Sequence, residues 1–346
     1  MNGRAAWKWV LSIAVSAILL YYSLRGVAWG RVWHIIATAR WQYLAAGAVI
    51  ASFSYFLRSL RWRILLNAEA RFSVGTVFWA NMAGYLGNNF LPARAGEVVR
   101  SLLISSRSSL SKTYVLTTAL SERLMDAIAL VLCASLVLLG VNPKPAWMAK
   151  ASGTMAILAG IGAVAMVVLP HTGDMLALVI RRIPMPGAIR VRMLALAEQV
   201  LLGLRAFHDW GRLAGFTFLT VVIWSADACS TMVGAKGLGL EISFPVALLL
   251  LTGLGLGSSL PSTPGYVGVY QIVAEGVLVP FGISRDGALA YILLAQVVGY
   301  AVILLFGLPG LYVLQGSAGW RGIAAGAEEG GPLQDHAAGD RVAGLQ

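Results

Sequence analysis

Apolar residues in this chain come in long blocks rather than in the alternating or heptad patterns of soluble domains. A membrane-crossing helix needs about 20 mostly apolar residues, and the blocks at 7–24, 43–60, 113–140, 149–170, 212–235 and 287–315 meet that length approximately. They predict an all-α, polytopic integral membrane protein with about six full spans. Two further blocks, 74–92 and 245–281, are also apolar, but they are rich in Gly and polar residues and are broken by Pro. They predict helices that break inside the bilayer and return, forming re-entrant hairpins near 74–107 and 245–281.

The two broken blocks resemble each other. Gly84-Tyr85-Leu86-Gly87-Asn88-Asn89-Phe90-Leu91-Pro92-Ala93-Arg94-Ala95-Gly96 aligns without gaps to Gly253-Leu254-Gly255-Leu256-Gly257-Ser258-Ser259-Leu260-Pro261-Ser262-Thr263-Pro264-Gly265. Paired, Gly/Pro-interrupted hydrophobic segments in two halves of a chain mark transporter folds. Three spans lie between them, and an odd number of crossings puts the motifs on opposite faces, as an inverted repeat requires. Freed backbone groups in a broken helix must be satisfied by protein or water, so the hairpin tips are expected to line a cavity. The hairpin residues singled out are Pro92, Gly96, Pro261, Pro264, Gly265 and Gly268.

Composition agrees with the bilayer as solvent: 58% of residues are hydrophobic and 12% charged, with mean hydropathy +0.76, against roughly 25% charged in soluble domains. The excess of basic residues, net +11, falls mostly between apolar blocks, where it sets topology and meets anionic headgroups. No aromatic-rich basic patch suggests nucleic acid. Arg181, Arg182, Arg190, Arg192 and Arg205 in the 171–211 connection place it in the cytoplasm as an amphipathic surface helix or a solvated linker helix. Both termini are then cytoplasmic. Arg25, Arg31 and Arg40 fall on the outside in this scheme, against the rule. Apolar residues up to Leu24 lack a small-residue cleavage site and read as an uncleaved first span. The stretch 316–346, rich in Gly and Ala, is expected to be a disordered tail, leaving 1–315 as one transmembrane domain.

Charges inside spans are costly and face protein or a wet cavity. Four groups stand out. Arg94, Glu97 and Arg100 follow the first hairpin at i,i+3 spacing, with Asn88 and Asn89 just before them. They suit either an anionic headgroup gripped by guanidinium forks or a self-neutralising ion-pair cluster. Glu122, Arg123 and Asp126 sit within one span. Arg123 can reach Asp126 at i,i+3, and the surplus carboxylate either pairs with Arg94 or Arg100 or carries a proton. Arg58, Arg61 and Arg63 read as snorkelling anchors, with Arg61 also a possible headgroup contact. Finally Asp227, Gln271, Glu275 and Gln296 are lone polar residues, and a mid-span Asp227 needs a partner. The second half is thus mostly neutral where the first is charged. Cys133 and Cys229 have no metal-ligand or CxxC neighbours, the four histidines are scattered, and no catalytic or nucleotide-binding signature occurs. No cofactor or metal is expected.

The run from Asn88 to Arg100, together with Glu122-Arg123-Leu124-Met125-Asp126, Pro261-Ser262-Thr263-Pro264-Gly265-Tyr266-Val267-Gly268 and Arg61-Trp62-Arg63, resembles the lysylphosphatidylglycerol synthase transmembrane-domain family. That family includes the flippase half of the multiple peptide resistance factor. The resemblance, over roughly 7–315, implies a bacterial inner-membrane protein that moves an anionic phospholipid or polyprenyl-linked lipid. It also implies a lipid cavity lined by Arg94, Glu97, Arg100, Glu122, Arg123 and Asp126. Only about 30 residues follow the last span, far short of a domain, so the aminoacyl-transfer activity of bifunctional relatives is not expected. Rival readings are an enzyme acting on a lipid headgroup with Glu122 or Asp126 as base, and an accessory scaffold of an envelope-synthesis complex. Membrane lipids are the expected partners, with envelope-biosynthesis proteins or a second copy of the chain as further ones.

Overall fold

A computed structural model describes residues 18–91, 95–140, 209–258 and 264–315, with scattered positions between 153 and 207. Among the described residues the secondary structure is helical throughout. The helices are α1 (Trp29–Ala37), α2 (Trp41–Leu66), α3 (Val74–Phe90), α4 (Gly96–Ser105), α5 (Lys112–Gly140), α6 (Trp210–Gly237), α7 (Phe244–Gly257), α8 (Val269–Leu278) and α9 (Arg285–Gln315).

Among the described residues three helices, α2, α6 and α9, are long and apolar enough to cross a membrane. They contain the blocks expected at 43–60, 212–235 and 287–315. The 29-residue α5 is about 43 Å long at about 1.5 Å per residue, but it carries Glu122, Arg123 and Asp126 at its centre. Residues 18–24 of the expected first span are helical. Residues 7–17, most of 149–170 and of the 171–211 connection, and the tail from 316 lie outside the described residues.

The two Gly/Pro-broken blocks each fold as a pair of short helices. In the first, Gly87 lies against Gly96 and Gly84 against Arg100, so α3 and α4 run antiparallel. In the second, Gly257 lies against Val269 and Gly253 against Val273, so α7 and α8 do the same. Glycine at the aligned positions 84 and 253 lets the partner helix approach closely. A Cβ on Gly253 would stand 2.8 Å from Val273 Cγ1.

Helix packing follows one scheme in both halves. α2, α3, α4 and α5 form a long, short, short, long series, and α6, α7, α8 and α9 repeat it. α2 packs along α6, with Gly47 against Ser230 and Gly237 against Tyr43. α3 packs on α9, where Gly307 and Gly310 seat on Met82 and Trp79 main-chain oxygens. The counterpart pair, α7 on α5, is closed by Gly255 against Leu130 and by Thr252 Oγ1 donating to Leu130 O at 3.1 Å. Small residues at these crossings let backbones approach where no hydrophobic force drives helices together. Exchanging the halves maps the α3–α9 pair onto the α7–α5 pair.

Helix ends have local causes. Ser73 caps α3 by accepting from Thr76 N, and Asp209 caps α6 by accepting from Arg212 N. Pro245 occupies the first turn of α7, where its missing N–H costs nothing. One difference from the sequence reading is α1, which was expected as part of an external loop. Its Val32 is fully buried against the second-half core. Its Arg31 pairs with Asp286 at 3.1 Å and Ala28 N donates to the same carboxylate. One of the three arginines that contradicted the charge rule is therefore neutralised locally.

Candidate functional site

Four arginines and four carboxylates meet where α2, α4, α5 and α6 converge, and they alternate in a single series. Asp227 pairs with Arg58 (2.5 Å), Arg58 with Asp126 (3.7 Å), Asp126 with Arg61 (2.6 Å) and Arg61 with Glu122 (2.9 Å). Glu122 pairs with Arg100 (2.9 Å), Arg100 with Glu97 (2.5 Å) and Glu97 with Arg123 (2.8 Å). The series is neutral, which satisfies the requirement that buried charge be paired. Each guanidinium also lies near an aromatic ring, Arg58 by Trp224, Arg61 by Phe216, Arg100 by Trp62 and Arg123 by Tyr85, at 4.4–5.4 Å from the centroid.

The middle of the series is sealed. Arg61 is completely buried and donates to both carboxylates on α5 and to Thr220 Oγ1. Arg100 is 2% exposed and spans Glu97, Glu122, Asn81 Oδ1 and Ala119 O. Asn81 passes the network on to Ser59 at 3.2 Å. The two ends surface. Asp227 is 17% exposed and Arg123 36% exposed. Arg123 donates from Nε to Glu97 Oε1, and its terminal nitrogens have no hydrogen-bond partner among the described residues.

Both ends face a cavity of about 890 Å³. Its charged wall consists of Arg58, Glu97, Arg123, Asp126 and Asp227 with Asn88 and Asn89. Tyr55, Tyr85, Tyr266, Tyr270, Gln296 and Tyr300 supply neutral polar groups, and aliphatic side chains of α2, α5, α7 and α9 line the rest. Asn88 Nδ2 donates to Glu97 at 3.2 Å, while its Oδ1 is buried without a donor among the described residues. Among the described residues no group of three or more His, Cys, Asp or Glu is arranged to hold a metal ion.

Several sequence expectations change here. Asn88, Asn89, Glu97, Arg123 and Asp126 line the cavity, whereas Arg61, Arg100 and Glu122 do not. Each is enclosed by opposite charges, so neither arginine has donors to spare for a headgroup. Arg123 turns to Glu97 on α4 rather than to Asp126 one turn along its own helix. The surplus carboxylate of α5 pairs with Arg100, one of the partners expected for it, and also with Arg61 from α2, and Arg58 is no snorkelling anchor but the partner of mid-span Asp227. Arg94, Pro92 and Pro261 lie outside the described residues, as does the Pro264 side chain. Sequence reasoning passed over Asn81, Tyr55, Tyr85 and Trp224. Asn81 alone carried a signal, an amide inside an apolar helix.

The second hairpin turn is held by neutral groups. Gln271, 1% exposed, accepts from Gly268 N at 2.7 Å and donates to Gln296 at 2.6 Å. Gln296 Nε2 and Tyr300 OH both donate to Gly265 O. Gly265 and Gly268 have φ +80° and +87°, where glycine is at ease. A Cβ on Gly265 would also meet Tyr300 OH at 2.6 Å. Tyr266 stands between them with φ +60°, the one non-glycine residue in that region among those described. Such a backbone costs about 1–3 kcal/mol and persists where the surroundings enforce it. Its ring stacks on Tyr270 at 4.9 Å and 11°.

Arg58 and Asp227 join the two halves, and their pairing has a measurable signature. Arg58→Met alone leaves Asp227 uncompensated and Asp227→Leu alone leaves Arg58 so. Each is expected to cost about 3 kcal/mol, while the double variant recovers most of the loss. Thermal unfolding of the four proteins in detergent gives the coupling. Additive losses would mean that the pair does not act as a unit.

The family model described as the lysylphosphatidylglycerol synthase TM region matches residues 9–307. Glycosyltransferase AglD of Haloferax volcanii is 25% identical, over 84% of this chain and 51% of its own length. The chain therefore spans about half of that relative. Two UPF0104 membrane proteins are covered almost throughout. The one from Pyrococcus horikoshii is 22% identical over 88% of this chain and 95% of its own. One from Methanothermobacter thermautotrophicus is 20% identical over 85% and 90%.

Proposed function

The chain belongs to the lysylphosphatidylglycerol synthase transmembrane family, and from that membership we propose that it is a carrier that moves a phosphate-bearing lipid across the bacterial inner membrane. The observation that carries this reading is the cavity itself. One wall offers a guanidinium, Arg123, with donors to spare, and the remainder is apolar enough for acyl or prenyl chains. Arg123 takes the phosphate, a charge-assisted contact whose strength grows away from water. The neutral ion-pair series behind it holds that guanidinium in place and keeps the wall from presenting a large net charge.

In this reading α3–α4 and α7–α8 are re-entrant hairpins and the two four-helix series are inverted repeats. The exchange of packing partners between the halves supports this. α5 counts as a span whose central charges are tolerated because protein encloses them. With a substrate site between related halves, access alternates as one half rocks against the other. The charge rule favours cytoplasmic termini.

The relative named a glycosyltransferase keeps an enzymatic alternative open. The site geometry favours a carrier. Glu122 is shut away between two arginines, and both Asp126 oxygens accept from Arg61, with Trp224 Nε1 a further donor to one of them. A general base must turn an oxygen toward the proton it takes, and the oxygens of both carboxylates are engaged by arginines.

Proteoliposomes holding a fluorescent anionic phospholipid in one leaflet test the proposal. Purified protein is expected to move the lipid to the other leaflet. Arg123→Gln is expected to slow this by about tenfold, the worth of one charged hydrogen bond, with a smaller loss of thermal stability than Arg61→Met because Glu97 keeps Arg100 as a partner. Transport at the wild-type rate in the variant would remove Arg123 from the site. Chemically altered lipid recovered from the vesicles would favour the enzyme.

A further inference from the structure

The cavity has a second wall that a phosphate does not explain. Tyr266 and Tyr270 form a stacked pair on it, with Gln296 and Tyr300 beside them, and all four line the cavity. The residues that the second hairpin contributes there carry no charge. The backbone is held in an uncommon shape to make this surface. Tyr266 takes a left-handed conformation between two left-handed glycines, and the turn is tied down by the Gln271–Gln296 bond and by two donors on Gly265 O. Glycine would fit position 266 without strain. A tyrosine kept there against its backbone preference points to a role for its ring.

We propose that this wall is a sugar subsite, so that the lipid carried has a glycosyl headgroup attached to its phosphate. This rests on the carrier reading and deepens it. A pyranose presents a C–H face that packs on an aromatic ring and an edge of hydroxyls that need neutral donors and acceptors. The tyrosine pair supplies the flat apolar face and a polar rim, and the second lone pairs of Gln296 Oε1 and the Tyr300 oxygen, whose hydrogens are committed to the turn, accept from the sugar hydroxyls. The phosphate sits on Arg123 of the charged wall of the same cavity. One headgroup thereby uses both the charged half and the neutral half of the site.

The test uses the full chain in detergent with three added lipids: undecaprenyl phosphate, undecaprenyl phosphate carrying one glucose, and phosphatidylcholine. Lipid retention is read by native mass spectrometry. Wild type is expected to retain the glucosylated lipid about fivefold better than the bare phosphate, an effect of the size of one aromatic contact. Tyr266→Gly removes the ring and relieves the backbone together. It is expected to bring that ratio toward one while the melting temperature stays level or rises. Tyr266→Phe is expected to keep the ratio.

A ratio near one in wild type, with retention of both phosphates still dependent on Arg123, overturns the sugar subsite and leaves the carrier standing. A melting temperature that drops in Tyr266→Gly, with the ratio intact, makes Tyr266 a structural residue and overturns it as well. Preferred retention of phosphatidylcholine assigns the ring pair to a quaternary ammonium and overturns it again. Failure to retain either phosphate lipid brings down the carrier reading and this one with it.

Discussion

Arg61→Met is expected to cost about 3–5 kcal/mol and to leave little monodisperse protein after extraction. Arg61 is completely buried between two carboxylates of α5 and bonds to both, with Thr220 from α6 and the Phe216 ring completing its surroundings. Methionine fills much of the same volume but leaves Glu122 with Arg100 alone and Asp126 with the longer Arg58 contact. A loss of this size is a large part of the about 5–15 kcal/mol that holds an ordinary fold together. Arg61→Lys keeps the charge but not the fork that serves two carboxylates, so it is expected to fall between. Scanning fluorimetry of detergent-solubilised protein orders the three. An Arg61→Met protein that melts with wild type would show that the charge series does not stabilise the fold.

Gly96→Ala is the second large effect, and it acts through shape alone. A Cβ at position 96 would run into Gly84 O and stand 2.6 Å from Asn88 N. Both are main-chain atoms of α3, so no side chain can swing aside. α4 would have to move off α3, carrying Glu97 and Arg100 out of register with Glu122 and Arg123. Overpacking of a flexible neighbour costs about 1–3 kcal/mol. Here the neighbour is backbone, and loss of the folded hairpin is the expected outcome. Gly276→Ala is the control. It lies within α8 with no atom near the added methyl, so it is expected to be neutral or to stabilise by up to about 1 kcal/mol. Equal melting temperatures for the two variants would refute the close approach of α3 and α4.

Block lengths and composition alone were enough to give a helical membrane protein, because the bilayer permits few other ways to satisfy a backbone within apolar sequence. Gly and Pro spacing gave the two broken segments, because a tight turn and a close helix crossing each demand a residue without a side chain. The family was legible too, in the motif around Asn88 to Arg100. It was also clear that charges such as Asp227 needed partners. Which partners they would find was not. A residue on α5 can look along its own helix or across to α2 or α4, and sequence spacing scores only the first choice. Arg123 had Asp126 within reach one turn away and pairs with Glu97 instead. Arg58 meets Asp227 across 169 positions. The rotation and depth of each packed helix decide such pairings, and these follow from glycine contacts spread over the whole chain. For the same reason only the tertiary structure distinguished Arg123, at the cavity wall, from Arg61 and Arg100, which the sequence presents with equal claims to the lipid. It also revealed Tyr266, whose backbone conformation leaves no mark in the amino-acid code.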